Sequence, residues 1–366
     1  MLETGTDTSS AARSAADVTG RVILLSPSCG LGGGIERYVE TLEWAFTAQG
    51  VQYRRIDLEN PGLAAQIQMM IKVRRLLRES AAPARLVVAH RAMLPAASLL
   101  AADRSVRGIS VLCHGCDAWG PELRPRRFIE SRLLRSPSVR VVAVSNFTAG
   151  AISRFSLATV LPVGLSGQWF HTLVDSASVC RKRRPGVQIV TAFRLPVWQE
   201  KGLPELMDAV AALDRADVQL TVCGTGEPPA DLKEAVRSSS FCTLRPGLTD
   251  RELAAEFASA DLLVLASRTR TGRRASGEGF GLVLLEAQVA GTPVVGPAHG
   301  GSPDAYLDRV TGLAPQDETV GALAAVLDNL LENPQRLEQM GQRAAEWARE
   351  SFAPERYAQL VVSKLL

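Results

Sequence analysis

No apolar run in this chain of 366 residues approaches the ~20 that cross a bilayer as a helix, so the sequence encodes no membrane-spanning helix. Charge of one sign is also scarce. Lys and Arg total 41 against 38 Asp and Glu, a net +3, too little to make nucleic acid the expected partner. The six cysteines, Cys29, Cys113, Cys116, Cys180, Cys223 and Cys242, are scattered, several inside apolar runs, as reduced thiols of a cytosolic protein would be. "CHGC" at 113–116 is the one close pair, and no second Cys/His pair stands at metal spacing, so a zinc site or redox dithiol is the lesser reading. An Asp-x-Asp pair that could chelate a cation for a pyrophosphate is missing. So is the Lys-Ser/Thr of a P-loop, although residues 28–40 are glycine-rich. Residues 1–19 are polar and small, without an apolar stretch, and are expected to be a disordered leader and not a signal peptide.

What is present is a repeated alternation. Short β-branched runs at 21–28, 51–58, 85–90, 108–115, 138–146 and 158–164 are separated by helical stretches such as 35–49, 64–79 and 126–135. The polar, basic segment "SASVCRKRRPG" (176–186) interrupts them. The pattern restarts at 187–193, 218–224, 241–247, 261–267 and 292–298, and turns helical after about residue 317. This is the signature of two α/β units with parallel sheets. The expected division is an N-terminal domain at 20–170, a linker at 171–186, a C-terminal domain at 187–350 and a final helix at 351–366 crossing back to the first domain. Ligands of such sheets bind at the carboxyl ends of the strands, and the candidate residues cluster just after strands.

"GEGFGLVLLEAQVAG" (277–291) carries two acids, Glu278 among glycines and Glu286 inside an apolar helix that Gly291 and Pro293 close. Taken alone, Glu286 fits an exposed helical stripe equally well. An unpaired buried carboxylate costs several kcal/mol, so otherwise it needs a partner. Glu278, Gly279 and Gly281 precede the helix, where free backbone N–H groups and the positive dipole end favour an anion. Two acceptor side chains around such a nest suit a sugar nucleotide, with diphosphate on the amides and hydroxyls on the carboxylates. Arg194 and Lys201, in "FRLPVWQEKG" (193–202), follow a strand and could meet the charge of a departing nucleoside diphosphate, or could simply be solvated loop cations. His114 and Asp117 end another strand in "LCHGCDAWG" (112–120), where a satisfied structural histidine is the competing reading.

Glu-x7-Glu in the form "EGFGLVLLE", followed by "GTPVVG" and "GGSPD", resembles the retaining glycosyltransferases of the GT-B fold, family 4, from about residue 21 onward. The resemblance implies two Rossmann-like doubly wound domains facing each other across a cleft. It implies that Glu286 binds the ribose hydroxyls and Glu278 the donor sugar, with phosphate and sugar held at Gly279, Phe280, Gly281 and Leu282. By the same resemblance Arg194 and Lys201 hold the diphosphate, although they stand seven apart where the family has about five. Gly33 and Gly34 approach the diphosphate or acceptor, His114 contacts the donor sugar, and Ser145 and Asn146 support the cleft. Gly224 and Gly226 lie near the phosphates, and Arg245 belongs to the stretch where the family holds the base.

The implied reaction moves a sugar from a UDP- or GDP-linked donor to a hydroxyl of a glycan, glycolipid or small molecule, without metal or other cofactor and by a front-face mechanism. A nucleotide-sugar enzyme such as an epimerase, or a non-catalytic sugar-nucleotide-binding module, are the alternatives. "RTRTGRRASG" (268–277) is longer and more basic than the family's short turn. Arg268, Arg270, Arg273 and Arg274, with Asp117, are the candidates for an acceptor contact, against a solvated loop. Residues 121–136 mix basic and apolar side chains like an interfacial helix, so weak peripheral contact with the inner face of the membrane accompanies the cytoplasmic expectation.

Overall fold

The apolar runs become strands because they are buried on both faces, which is what parallel sheets covered by helices require. A computed structural model describes residues 21–27, 33–60, 62–80, 82–115, 125–179, 185–270 and 275–366. In the N-terminal domain β1 (Arg21–Ser26), β2 (Tyr53–Asp57), β3 (Ala84–Val88), β4 (Val106–Cys113), β5 (Val139–Ala143) and β6 (Ala158–Val160) form a parallel sheet of order β2-β1-β3-β4-β5-β6. In the second sheet β7 (Val187–Arg194), β8 (Val218–Thr225), β9 (Cys242–Pro246), β10 (Leu262–Val264), β11 (Val294–Val295) and β12 (Gly312–Leu313) run β12-β11-β10-β7-β8-β9. Each order reverses direction once, at β1/β3 and at β7/β10. A crevice opens beyond the carboxyl ends of the strands at such a switch point.

Helices cover both faces. On one side of the first sheet lie α2 (Leu63–Arg78), α3 (Leu94–Leu100), α4 (Pro125–Leu133) and α5 (Asn146–Ile152), packed over Ile23, Leu86, Val111 and Val141. On the other side α1 (Gly34–Ala48) covers Leu24, Val87 and Leu112, and this core continues without a break into Val190, Leu263 and Leu285 of the second domain. The second sheet is flanked by α7 (Leu203–Ala212), α8 (Ala230–Arg237), α9 (Asp250–Ser259), α10 (Leu282–Val289) and α11 (Val320–Leu331). After α12 (Pro334–Ser351) the chain returns as α13 (Pro354–Leu365) onto α1. There the Tyr357 hydroxyl donates to the Pro162 carbonyl at 2.7 Å, and Ser110 donates to the Leu365 carbonyl at 2.6 Å. Gly164 is tied to this crossing, since a Cβ there would stand 2.6 Å from the Tyr357 ring.

The segment expected as a linker at 171–186 differs. Its first half belongs to α6 (Gly167–Val179), because Trp169, Phe170 and Leu173 supply a buried face that packs on α9 and α10. Composition at 176–186 hid that apolar period, while residues 180–184 lie outside the described set, as does the expected leader at 1–19. β12, two residues long, carried too little pattern to be read from sequence. Cys113, Cys223 and Cys242 are buried free thiols, and burial pushes the Cys242 thiol up to about 12; Cys29, Cys116 and Cys180 lie outside the described residues.

Candidate active site

The loop after β10 and the turn before α7 meet because Gly202 allows it. Its φ of +69° is left-handed, and a Cβ there would stand 1.9 Å from the Ala266 carbonyl. That contact seats Lys201 against Glu278, with Nζ 2.9 Å from Oε2. The Ser267 hydroxyl donates to the same oxygen at 3.1 Å, and the Gly281 amide also bonds the carboxylate. Burial opposes ionisation of Glu278, but the Lys201 ammonium and these hydrogen bonds outweigh it and hold the carboxyl below the usual range. Gly281, at φ +83°, is the N-cap of α10, so the first-turn amides of that helix open beside the Lys201–Glu278 pair.

Glu286 sits in the following turn of α10 and is 5% exposed. Trp169 Nε1 donates to its Oε1 at 2.9 Å, and Arg37 Nε approaches the same oxygen at 3.7 Å. The Arg37 guanidinium lies 4.5 Å from the Trp169 ring centroid and bonds Asp250 at 2.7 Å. Burial raises the Glu286 carboxyl above its ordinary range, and the Arg37 charge and the indole N–H only partly offset it. The two acids therefore differ in kind, one held ionised by an adjacent ammonium and the other biased toward its proton.

The N-terminal domain closes on this cluster through backbone. A Cβ on Gly279 would stand 1.8 Å from the His114 carbonyl, so only glycine fits. His114 follows β4, and its Nε2–H donates to the Ala89 carbonyl at 2.7 Å. A carbonyl can only accept, which places a proton on Nε2. The ring stacks on His90 at 6.2 Å and meets the edge of Tyr38 at 5.7 Å. A second tie joins Asn146 to Asp304 of the "GGSPD" turn, whose carboxylate accepts from the Asn146 amide N–H at 2.6 Å and from Nδ2 at 3.0 Å. Gly301 is wedged against Ser145 and the Gly279 carbonyl.

Arg194 ends β7 at the cleft edge, half-buried and without an ion pair among the described residues. Gly33 caps α1 and Gly34 begins it; a Cβ on either would meet no described residue within 4 Å. Phe280 is buried in the interdomain core, and Leu282, the first residue of α10, is half-buried. Other candidates have structural occupations. Gly224 packs against β7, where a Cβ would stand 2.1 Å from the Phe193 carbonyl, and Gly226 turns at φ +85° against Pro196. Arg245 is engaged by Glu256 of α9 at 2.8 Å. Arg268 is neutralised by Glu205 at 3.0 Å and Glu318 at 3.5 Å, which anchors the start of the basic loop instead of leaving its charge for an acceptor. Arg270 bridges back to Ser276; Asp117, Arg273 and Arg274 lie outside the described residues.

Sequence reasoning missed Arg37, Trp169, Ser267 and Asp304. Arg37 carried a signal, since a cation in the first turn of a helix opposes the dipole and implies an acid elsewhere to hold it. Among the described residues no three His, Cys, Asp or Glu side chains gather as metal ligands would, and no helix is long and apolar enough to cross a membrane. A cavity of about 800 Å³ lies away from the candidate residues, among Val187, Asp217, Ala260 and Arg349.

Two parallel α/β domains meeting edge to edge over such a cluster define the GT-B architecture, and solved structures agree. The sucrose-phosphate synthase of Thermosynechococcus elongatus superposes with a TM-score of 0.77 at 18% identity, covering 94% of this chain and 98% of that one. Residues 193–347, within the C-terminal domain, match the glycosyl transferases group 1 family, which supports a group 1 glycosyltransferase. A GDP-mannose-dependent alpha-(1-6)-phosphatidylinositol monomannoside mannosyltransferase of Mycolicibacterium smegmatis is 29% identical over 69% of this chain and 68% of its own length. A D-inositol 3-phosphate glycosyltransferase of an Arthrobacter species is 30% identical over 62% of this chain and only 55% of its own length.

Proposed function

We propose that this protein moves a sugar from a nucleoside diphosphate donor, UDP- or GDP-linked, to a hydroxyl of a lipid-linked acceptor, with retention at the anomeric carbon and without a metal ion. The observation that carries this reading is the Lys201–Glu278 pair at the mouth of α10, with Arg194, which has no ion pair among the described residues, at the neighbouring strand end. The helix amides, Arg194 and the Lys201 ammonium supply positive charge where a departing diphosphate gathers its own, the preorganised stabilisation such a step needs. Glu278, kept ionised, accepts hydrogen bonds from sugar hydroxyls. Glu286, one helical turn on, offers its carboxyl to the ribose. In the transfer the bond from the anomeric carbon to the phosphate oxygen breaks and a bond to the acceptor oxygen forms on the same face. The acceptor's proton passes to the leaving phosphate. The lipid-linked acceptor follows the Mycolicibacterium relative, whose name specifies a phosphatidylinositol mannoside.

The test is transfer from labelled UDP- and GDP-sugars to a lipid extract in the presence of EDTA, with the anomeric configuration of the product read by NMR. An α-linked product from an α-linked donor, formed undiminished in chelator, supports the reading. An inverted product or a strict metal requirement removes it. A donor converted to its epimer when no acceptor is present would establish an epimerase.

A further inference from the structure

The outer face of the N-terminal domain is built unlike the rest of the surface. Among the described residues eleven large apolar side chains are exposed, and six of them stand on α2, α3 and α4: Leu63, Ile67, Ile71, Leu99, Phe128 and Ile129, each 48–75% exposed. These three helices lie side by side on one face of the sheet, α2 against α3 and α3 against α4. On α2 the exposed positions follow i, i+4 spacing from Leu63 to Ile67 to Ile71, and the same stripe continues at helical spacing into Arg74 and Arg78. Among the described residues no contact covers that stripe, since the core-facing side of α2 is Met69, Val73 and Leu77.

Charge says what should cover it. Within α2 and α4 there are seven cations and one acid, Glu130, which is buried against Arg91 and Arg126 and so contributes nothing outward. Glu59 and Glu79, flanking α2, pair with Lys72 and Arg75, and the Asp103 carboxylate, which accepts from Ser105 and feels the charges of Arg74 and Arg78, offsets part of theirs, so positive charge stays in excess on this face. Apolar side chains graded into arginines suit a surface that is apolar within and anionic at its boundary. Helices that follow parallel strands begin at the carboxyl edge of the sheet, so Leu63 and Phe128, in the first turns of α2 and α4, stand toward the edge on which the cleft opens.

We propose that this α2–α3–α4 face docks on an anionic phospholipid bilayer and thereby presents a lipid-linked hydroxyl to the cleft. The docking surface stands on the exposed face alone, and only its purpose rests on the acceptor reading above. α4 is part of the segment whose sequence suggested membrane contact; α2, the larger contributor, was not singled out there.

Flotation of the full chain with phosphatidylglycerol–phosphatidylcholine vesicles, against phosphatidylcholine alone, tests it. Binding to the anionic vesicles should weaken as salt rises. Ile67→Ser with Ile71→Ser, and separately Arg74→Glu with Arg78→Glu, should each lower the partition coefficient by about 10-fold. All four positions are exposed, so nucleotide-sugar binding measured by calorimetry should be unchanged, which shows that the variants fold. Absent binding to anionic vesicles, or both variants binding as the parent does, overturns the proposal. A dimer in solution that the Ile variant dissolves would assign the face to a second copy and overturn it equally. Loss of nucleotide binding by the parent chain would count against the proposed reaction and leave the docking result standing.

Discussion

Replacing Lys201 with alanine isolates the interaction on which the site turns. Glu278 has 15% of its side-chain surface exposed and Lys201 27%, with 2.9 Å between them. Removing one partner of a fully buried pair costs about 3–5 kcal/mol, and the partial exposure here reduces the expected loss to roughly 1–3 kcal/mol at neutral pH. The pH dependence gives the sharper check. In the parent the folded carboxyl lies below its unfolded value, so the pair's stabilisation is present above the unfolded carboxyl range and is lost as pH falls through the lower folded value. In Lys201→Ala burial prevails and the folded value rises above the unfolded one. The carboxylate then destabilises the fold at neutral pH, and that penalty fades on acidification. Urea denaturation at pH 7 and at about pH 4 should therefore show the variant's deficit shrinking as pH drops. The double variant Lys201→Ala/Glu278→Gln should regain most of the stability while transfer stays lost. A deficit independent of pH, or no recovery in the double variant, would refute the reasoning.

Other outcomes follow from the same geometry. Arg194→Ala should fold normally, having no ion pair among the described residues to lose, and lower kcat by about 10²–10³, read in steady-state transfer assays. Gly279→Val should hold the domains apart, because its side chain meets the His114 carbonyl; small-angle scattering should give a larger radius of gyration with each domain's helical content intact. Trp169→Phe removes the indole donor to Glu286, so the donor KM should rise more than kcat falls, and the acidic limb of the KM–pH profile should move upward as the Glu286 carboxyl rises further. Tyr357→Phe, which removes a hydrogen bond to the Pro162 carbonyl, should cost about 1 kcal/mol in thermal unfolding and leave kcat unchanged.

What the sequence made legible was whatever repeats along the chain. The strand runs of both sheets, the helices between them and the glycine-flanked acids at 278 and 286 each rest on local period or spacing. Contacts between segments far apart in sequence were not visible. Arg37 meets Glu286 across 249 positions, and nothing near Trp169 announces that its indole will bond an acid 117 residues on. The glycines show the same limit. Gly224 and Gly279 both read as places where a phosphate could approach, yet one is small to fit the neighbouring strand and the other to fit the opposite domain. Arg245 read as part of the base-binding stretch and Arg268 as a candidate acceptor contact, because Glu256 and Glu318, which engage them, lie on other elements.

Calorimetric titration of UDP-, GDP-, ADP- and dTDP-sugars into the parent chain and into Arg194→Ala tests the central claim most directly. The account predicts saturable binding of at least one of the four by the parent, weakened by 10-fold or more in the variant, as expected when a phosphate loses its arginine. Heats indistinguishable from dilution for every donor, or equal affinity in parent and variant, would contradict it.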